Sequence, residues 1–138
     1  MDPVSTRTRI LIVDDQPDML ELLRERLQSW GYNVLMTSSG EVGLVLARKH
    51  QPALILLDVL LPDLGGHDVC ALLKENPDTQ EIPVIVLSVV RTPQLVERAF
   101  QVGAEDYILK PFEANYLKNR IAACLLGGDA AQPTEGQP

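Results

Sequence analysis

The sequence predicts an α/β fold in which a five-stranded parallel sheet carries helices on both faces. Four runs of consecutive apolar residues, at 10–13, 54–57, 84–87 and 107–109, alternate with segments of helical periodicity. Unbroken apolar runs are typical of strands buried on both faces, as in parallel sheets. Each run also ends at a polar or charged residue. Strict alternation of strands and helices implies right-handed crossovers, and therefore a doubly wound (βα)5 sandwich.

The first strand is predicted over residues 9–13. The helix after it starts at Pro17, because proline is tolerated in the first helical turn, where its missing N–H would be unpaired. Apolar side chains recur on one face of this helix up to Trp30. Gly31 ends it, since glycine just past a helix end tolerates the left-handed conformation. The second strand is predicted over residues 32–37.

Two further helices flank the central strand, which ends at Asp58. The second helix is predicted to end near His50, because Pro52 cannot continue it. The third helix is predicted over residues 67–75 and stops at a turn sequence that begins at Asn76. Val42, Val45 and Leu46 mark the second helix, and Val69, Leu72 and Leu73 form the predicted inner face of the third.

The last part of the sheet is predicted from the same signals. Pro83 opens the fourth strand, and Thr92 with Pro93 supplies an N-cap and first turn for the fourth helix. Gly103 ends that helix, and the fifth strand covers residues 106–110. The apolar residues of the last two helices are Leu95, Val96, Ala99 and Phe100, then Tyr116, Leu117, Ile121, Cys124 and Leu125.

Composition narrows the possible function classes. The net charge of -7 argues against binding nucleic acid or an anionic membrane through a basic surface. No apolar stretch is long enough for a membrane helix, and residues 1–9 lack the apolar region of a signal peptide, so we expect a cytoplasmic protein. Cys70 and Cys124 have no metal-type spacing and are expected to be reduced thiols.

The chain is long enough for one folded domain with a sizeable core. Residues 8–126 are assigned to this domain, and residues 1–7 to a flexible N-terminus. Residues 127–138 are rich in glycine, proline and small polar residues and have almost nothing to bury. They are expected to form a disordered tail or the start of an interdomain linker.

The strand tips bring the reactive residues together if the strand order is 2-1-3-4-5, the flavodoxin-like order. In such sheets the ligand crevice lies outside the carboxyl ends of the strands, where the strand order reverses. The reversal would fall between the first strand, which ends at Asp14 and Asp15, and the third, which ends at Asp58. Ser88 and Lys110 would lie at the tips of the adjoining strands.

This set of residues predicts chemistry on phosphate. Three carboxylates at one point repel each other unless a cation or protons are taken up, and Mg²⁺ prefers oxygen ligands. A carboxylate beside the ion can act as a nucleophile towards phosphorus and form an acyl phosphate. Lys110 would neutralise charge on the phosphoryl oxygens, and the Ser88 hydroxyl could hydrogen-bond a remaining oxygen.

These motifs identify a family. The chain resembles the receiver (response-regulator, CheY-like) domains of two-component signalling over about residues 8–126. The resemblance is carried by the ordered set of motifs at strand ends rather than by any one of them. The matching residues are Asp14-Asp15, Asp58 followed by Pro62 and Gly66, Ser88, and Gly-Ala-Glu-Asp-Tyr-Ile-Leu-Lys-Pro-Phe at 103–112.

The resemblance implies a role for each residue of the site. Asp58 would accept a phosphoryl group from a phosphohistidine on a histidine kinase or a histidine phosphotransfer domain. Asp15 and the backbone carbonyl of Leu60 would bind Mg²⁺ directly, with Mn²⁺ as a possible substitute, and Asp14 would act largely through water. Lys110 would contact the phosphoryl group and be held by a cis peptide bond to Pro111.

The resemblance also implies a switch. Ser88 and Tyr107 would form the switch pair, in which the hydroxyl moves towards the phosphate and the ring turns inward. The face formed by the fourth helix, fifth strand and fifth helix, about residues 92–126, would then bind an output domain, a downstream partner or a second copy. Such a domain is a phosphoacceptor that assists its own phosphorylation and dephosphorylation, not a turnover enzyme on a separate substrate.

Other function classes remain as alternatives. A pseudo-receiver would keep the fold as a protein-interaction module and never carry phosphate, but pure binding does not require the three acids and Lys110. A flavodoxin would need a hydroxyl- and glycine-rich phosphate loop after the first strand, where this chain has Asp-Asp-Gln-Pro-Asp. The Asp-x-Asp pattern of haloacid-dehalogenase-type phosphatases and the Gly-x-x-x-x-Gly-Lys loop of nucleotide hydrolases are absent.

Overall fold

The computed structural model describes residues 8–127, in which five strands alternate with five helices. The N-terminus predicted at 1–7 and residues 128–138 of the predicted tail lie outside the described residues, so those boundaries stay predictions. The strands are β1 (Arg9–Val13), β2 (Asn33–Thr37), β3 (Leu54–Leu57), β4 (Val84–Ser88) and β5 (Asp106–Leu109). The helices are α1 (Pro17–Ser29), α2 (Gly40–His50), α3 (Gly66–Glu75), α4 (Pro93–Gln101) and α5 (Ala114–Leu125).

The strands form one parallel sheet of order β2-β1-β3-β4-β5, which confirms the predicted order. The order reverses beside β1, the first strand of the chain and second in the sheet. In the register, Val13 pairs with Thr37 of β2 and with Leu57 of β3. Because these three residues are the last of their strands, β1, β2 and β3 all end at one level on the carboxyl edge of the sheet.

The helices pack on both faces of the sheet, because successive strand residues point to opposite sides. In β1, Leu11 and Val13 belong to the core cluster shared with α2, α3 and α4. Ile10 and Ile12 belong to the cluster shared with α1 and α5. β3 is buried along its whole length, which explains the unbroken apolar sequence from Leu54 to Leu57.

The helix faces differ in part from the prediction. Val42 and Val45, the apolar markers of α2, are 45% and 52% exposed. The residues of α2 that are buried are instead Gly40, Gly43 and Ala47. Gly43 lies against Val13 of β1, and Gly40 lies against Val69 of α3, so these small residues let α2 approach both the sheet and α3. Leu72, predicted on the inner face of α3, is exposed. Leu95, Phe100 and Tyr116 of the last two helices are exposed as well.

Helices α1 and α4 end just before the glycines that were predicted to terminate them. Gly31 and Gly103 adopt φ angles of 96° and 112°, in the left-handed region that favours glycine. Pro17 and Pro93 are the first residues of their helices. Within residues 8–127, no helix is long and apolar enough to cross a bilayer. The cytoplasmic location stays a prediction.

Candidate functional site

The two buried acids stand side by side because the sheet continues one step past the strand ends. The Asp14 N–H donates to the Thr37 carbonyl at 3.1 Å, and the Asp58 N–H donates to the Val13 carbonyl at 2.9 Å. Both backbones are therefore fixed to neighbouring strands. This places the two carboxylates next to each other at the carboxyl edge, where β1 meets β3.

Lys110 reaches these acids from β5, the strand at the edge of the sheet. It directly follows β5, and its N–H donates to the Ser88 carbonyl at 2.9 Å. Its Nζ lies 2.7 Å from Asp14 Oδ2 and 3.0 Å from Asp58 Oδ2. The three residues are 8%, 1% and 5% exposed, respectively. The peptide bond from Lys110 to Pro111 is cis. Lys110 follows Asp58 by 52 positions and Asp14 by 96 positions in the sequence. The fold thus brings these three residues into one buried ion cluster.

The paired acids keep the Lys110 ammonium charged. Burial lowers the pKa of Lys110, but the hydrogen bonds to Asp14 and Asp58 raise it, and the net shift is upward. A buried ammonium without such partners would be costly to desolvate. We conclude that the carboxylates hold this side chain at the strand tips as a cation.

A third acid makes the cluster suitable for a metal ion. Asp15 is exposed, and it offers a carboxylate oxygen close to those of Asp14 and Asp58, all within 4.8 Å of one another. One ammonium is set against three acidic side chains, so the cluster has more acidic than basic groups. Hard divalent cations such as Mg²⁺ prefer oxygen ligands of this kind. The donor set therefore fits Mg²⁺, and the open side at Asp15 gives the ion access.

The backbone after Asp58 turns tightly around the carboxylate. The Leu60 N–H donates to Asp58 Oδ1 at 3.0 Å, and the Gly66 N–H donates to the Val59 carbonyl at 3.0 Å. A Cβ atom at Gly66 would lie 2.3 Å from Val59 Cα and 2.5 Å from the Asp58 carbonyl oxygen. Only glycine fits there, so Gly66 is required for the close approach of α3 to the strand tip.

The sequence from residue 10 to residue 122 matches the family described as response regulator receiver domain. The chain belongs to this family. The resemblance predicted from the strand-end motifs is therefore confirmed, together with the CheY-like fold.

Curated relatives of this receiver domain are longer than the chain. The chain is 35% identical over 134 residues to "Probable transcriptional regulator ycf27" of Porphyra purpurea. This alignment covers 96% of the chain and 53% of that protein. The chain is also 37% identical over 112 residues to "Probable cyclic di-GMP phosphodiesterase" of Vibrio cholerae. This alignment covers 81% of the chain and 25% of that protein. The chain thus spans about half the length of the first relative and a quarter of the second.

A solved receiver domain with a similar fold holds a magnesium ion. The receiver domain of the sensor histidine kinase PA1611 from Pseudomonas aeruginosa PAO1 superposes with a TM-score of 0.81 at 28% identity. The match covers 89% of this chain and 100% of that one. That structure contains a magnesium ion coordinated in its active-site cleft.

The two predicted switch residues of the receiver domain, Ser88 and Tyr107, both form hydrogen bonds with the main chain of Val90. Ser88 is fully buried, and its Oγ accepts a hydrogen bond from the Val90 N–H at 3.1 Å. The Tyr107 hydroxyl donates to the Val90 carbonyl at 2.6 Å. Burial raises the pKa of Tyr107, which is half-buried at the edge of the sheet. The loop at residues 89–92, between β4 and α4, is therefore held by both residues.

Sequence reasoning missed one polar residue of this receiver domain. Asp63 lies between β3 and α3, and its carboxylate accepts hydrogen bonds from the Gly40 and Glu41 N–H groups and from Ser39 Oγ. Hydrogen bonds from Glu41 and Gly40 hold the pKa of Asp63 well below its usual range. The partners lie 22 to 24 positions away in the sequence, so no local sequence pattern predicts these hydrogen bonds.

Proposed function

We propose that this chain is the phosphoacceptor domain of a two-component or phosphorelay system, and that Asp58 accepts the phosphoryl group. The donor would be a phosphohistidine of a histidine kinase or of a histidine phosphotransfer domain. The observation that carries the proposal is the Lys110 ammonium, bonded to Asp14 and Asp58 at 2.7 and 3.0 Å in a buried cluster. A cation held at that position is suited to charge that develops on a transferring phosphoryl group.

Asp14, Asp15, Asp58 and the Leu60 carbonyl would hold the ion at the site. When bound, Mg²⁺, or Mn²⁺ as a substitute, would neutralise negative charge on the phosphoryl oxygens. Asp14 and Asp58 are already fixed through their backbone bonds to the sheet. The main chain at these two acids therefore needs little rearrangement to receive the ion.

The transfer is a substitution at phosphorus by an Asp58 carboxylate oxygen. The new oxygen–phosphorus bond forms as the bond from phosphorus to the imidazole nitrogen breaks, and the leaving imidazole keeps the electron pair. Lys110 would exchange its contact with the Asp58 carboxylate for one with a phosphoryl oxygen. The Ser88 hydroxyl would donate to another phosphoryl oxygen.

This movement of Ser88 would carry the signal outward. Once its hydroxyl turns to the phosphoryl group, the Val90 N–H loses its acceptor. The loop at residues 89–92 is then free to shift, and the Tyr107 ring can turn inward. The α4–β5–α5 face would change its surface and bind an output domain, a downstream partner or a second copy. The relatives named as a transcriptional regulator and a phosphodiesterase are consistent with outputs that lie outside this segment.

The test is labelling with a small phosphodonor. Wild-type protein with acetyl phosphate and Mg²⁺ should gain the mass of one phosphoryl group, and Asp58→Asn should abolish the gain. Asp78→Asn is the matched control, since Asp78 is an exposed aspartate in the loop after α3. Labelling of the Asp58 variant at the wild-type level would reject the assignment. No labelling of the wild type by acetyl phosphate or a phosphohistidine donor would favour a pseudo-receiver.

A further inference from the structure

We propose that Asp63 is a positioning residue for the phosphorylation site. It would hold the loop of residues 58–65, between β3 and α3, against the start of α2, and so fix the Leu60 carbonyl where the ion binds. This inference rests on the proposed function, because Leu60 matters only if its carbonyl is a metal ligand. It adds a residue to the site that lies outside the cluster of acids and lysine.

The contacts of Asp63 join two parts of the chain. Its Oδ1 accepts from the Gly40 N–H at 2.9 Å, and its Oδ2 accepts from the Glu41 N–H at 3.0 Å. Oδ2 also accepts from Ser39 Oγ at 2.9 Å. The first N–H groups of a helix have no partner within the helix, and a carboxylate at this end is stabilised by the helix dipole. The Asp63 side chain is therefore bound firmly although it is exposed.

Capping of α2 does not depend on Asp63 alone. Ser39 is the N-cap of this helix, and its Oγ accepts from the Val42 N–H at 3.1 Å. The helix therefore has a local cap of the usual kind, from the residue directly before it. The additional bonds to Asp63 connect the cap to the loop, and we infer that they serve the loop as well as the helix.

The start of α2 is also tied to the first acid. Thr37, the last residue of β2, accepts the Asp14 N–H at 3.1 Å, and Thr37 Oγ1 accepts the Ser39 N–H at 3.2 Å. Residues 37–41 are thus hydrogen-bonded to the backbone that carries Asp14 and, through Asp63, to the loop that carries Leu60. This segment therefore connects the two groups that would bind one ion by a second route, in addition to the pairing of β1 with β3.

Apart from Asp63, the centre of the loop is held by apolar packing rather than by hydrogen bonds. At its start the Leu60 N–H donates to Asp58 Oδ1, and at its end the Gly66 N–H donates to the Val59 carbonyl. From the middle of the loop, Asp63 makes hydrogen bonds to the start of α2. Leu64 packs beside Gly40, where an added Cβ would lie 3.2 Å from Leu64 Cβ. Leu61 and Leu64 are also partly buried and pack against the core cluster on this side of the sheet. Loss of the Asp63 carboxylate would leave these apolar contacts to hold the centre of the loop.

The experiment compares Asp63→Ala with Asp63→Asn and with Asp78→Ala as the control for loss of an exposed charge. Mg²⁺ affinity is measured by titration of backbone amide shifts, and amide hydrogen exchange of residues 60–66 is measured in the metal-free protein. We expect Asp63→Ala to weaken Mg²⁺ binding roughly tenfold, as residues that orient metal ligands do. Exchange in the loop should become faster, and the control should match the wild type in both measurements.

The asparagine variant separates hydrogen bonding from charge. An asparagine side chain lacks the charge but keeps one acceptor oxygen, so Asp63→Asn should retain part of the Mg²⁺ affinity that the alanine variant loses. Equal losses in both variants would point to charge alone and overturn the proposal. A lower melting temperature with unchanged Mg²⁺ affinity and loop exchange would also overturn it, because Asp63 would then be only a helix cap. If the alanine variant does not fold, Asp63→Asn against wild type decides by the same measurements.

The outcome is separable from failure of the proposed function. If Asp58→Asn is still labelled, or the wild type is never labelled, the phosphoacceptor assignment fails whatever Asp63 does. If labelling depends on Asp58 and Asp63→Ala binds Mg²⁺ as the wild type does, the phosphoacceptor assignment stands and the role of Asp63 is rejected.

Discussion

The Tyr107 hydroxyl donates a hydrogen bond to the Val90 carbonyl at 2.6 Å. The N–H of the same Val90 donates to Ser88 Oγ at 3.1 Å. One residue of the loop after β4 is thus held at its carbonyl by one hydroxyl and at its N–H by another. A displacement of either side chain removes a partner from Val90, which gives the proposed switch pair a physical connection.

Removal of the Tyr107 hydroxyl should cost stability and leave the site chemistry intact. Tyr107→Phe keeps the ring but leaves the Val90 carbonyl without its donor, so the free energy of unfolding should fall by about 1 kcal/mol. Urea denaturation measures this change. Tyr116→Phe is the control, because Tyr116 is exposed on α5. An equal stability of both variants would show that the bond to Val90 contributes nothing in solution.

Removal of the Lys110 ammonium should have opposite effects on metal binding and on transfer. Lys110→Ala leaves Asp14 and Asp58 buried without their counter-charge, so the metal-free protein should lose about 3–5 kcal/mol of stability. Added Mg²⁺ should restore part of it and should bind more tightly than to the wild type, because a competing cation is gone. Labelling by acetyl phosphate should slow about a hundredfold, as for loss of a charge-stabilising donor.

Lys49→Ala is the control for this variant, since Lys49 is an exposed lysine in the last turn of α2. It should match the wild type in stability, Mg²⁺ affinity and labelling. Wild-type labelling of Lys110→Ala under saturating Mg²⁺ would contradict the role of the ammonium in transfer.

Substitution by alanine should lower the stability of the protein at Gly66 but not at the adjacent Gly65. At Gly66 a Cβ would meet Val59 Cα at 2.3 Å, so Gly66→Ala must push the backbone beside Asp58 and should lose about 1–3 kcal/mol or more. At Gly65 the nearest atom would be Asp68 Oδ2 at 3.6 Å, an ordinary contact. Gly65→Ala should stay within about 0.5 kcal/mol of wild type. Thermal unfolding and acetyl phosphate labelling of the pair check both statements.

Asp63 should contribute to acid sensitivity. The pKa of its carboxyl is lowered in the folded protein, mainly by the hydrogen bonds from Glu41 and Gly40, from an ordinary value of 3.8. A group of this kind adds stability above the unfolded pKa and loses it as the pH falls. The difference in melting temperature between wild type and Asp63→Asn should therefore be constant near neutrality and shrink below about pH 4. A difference that stays constant down to pH 3 would contradict the shift.

The sheet and most of its tips could be predicted because their signals are local. Four strands appear as runs of apolar residues, and the residue that follows the apolar run marks the tip of each strand. The expected order places Asp14 and Asp58 on neighbouring strands, which pair as predicted. The distances from Lys110 to both acids could not be read from the sequence, but its place at the end of β5 could.

The outer faces and the long-range polar contacts could not be predicted in the same way. The apolar side chains of α2 are exposed in part, because Gly40, Gly43 and Ala47 form its buried face. Periodicity counts apolar residues and therefore misses a face built from small ones. Asp63 was missed for a different reason, since a carboxylate that caps a helix 22 or more residues earlier leaves no pattern near either end.

Sheet hydrogen bonds extend beyond the strands to the N–H groups of Asp14, Asp58 and Lys110. The main chain of the three residues at the centre of the proposed reaction is thereby anchored on a fixed platform. If Asp58 accepts a phosphoryl group, as proposed, we expect that platform to stay in place and the side chains and the segment after Ser88 to respond. On the proposed function the response is therefore asymmetric, and we expect the half that carries α1 and α2 to remain still while the opposite half moves.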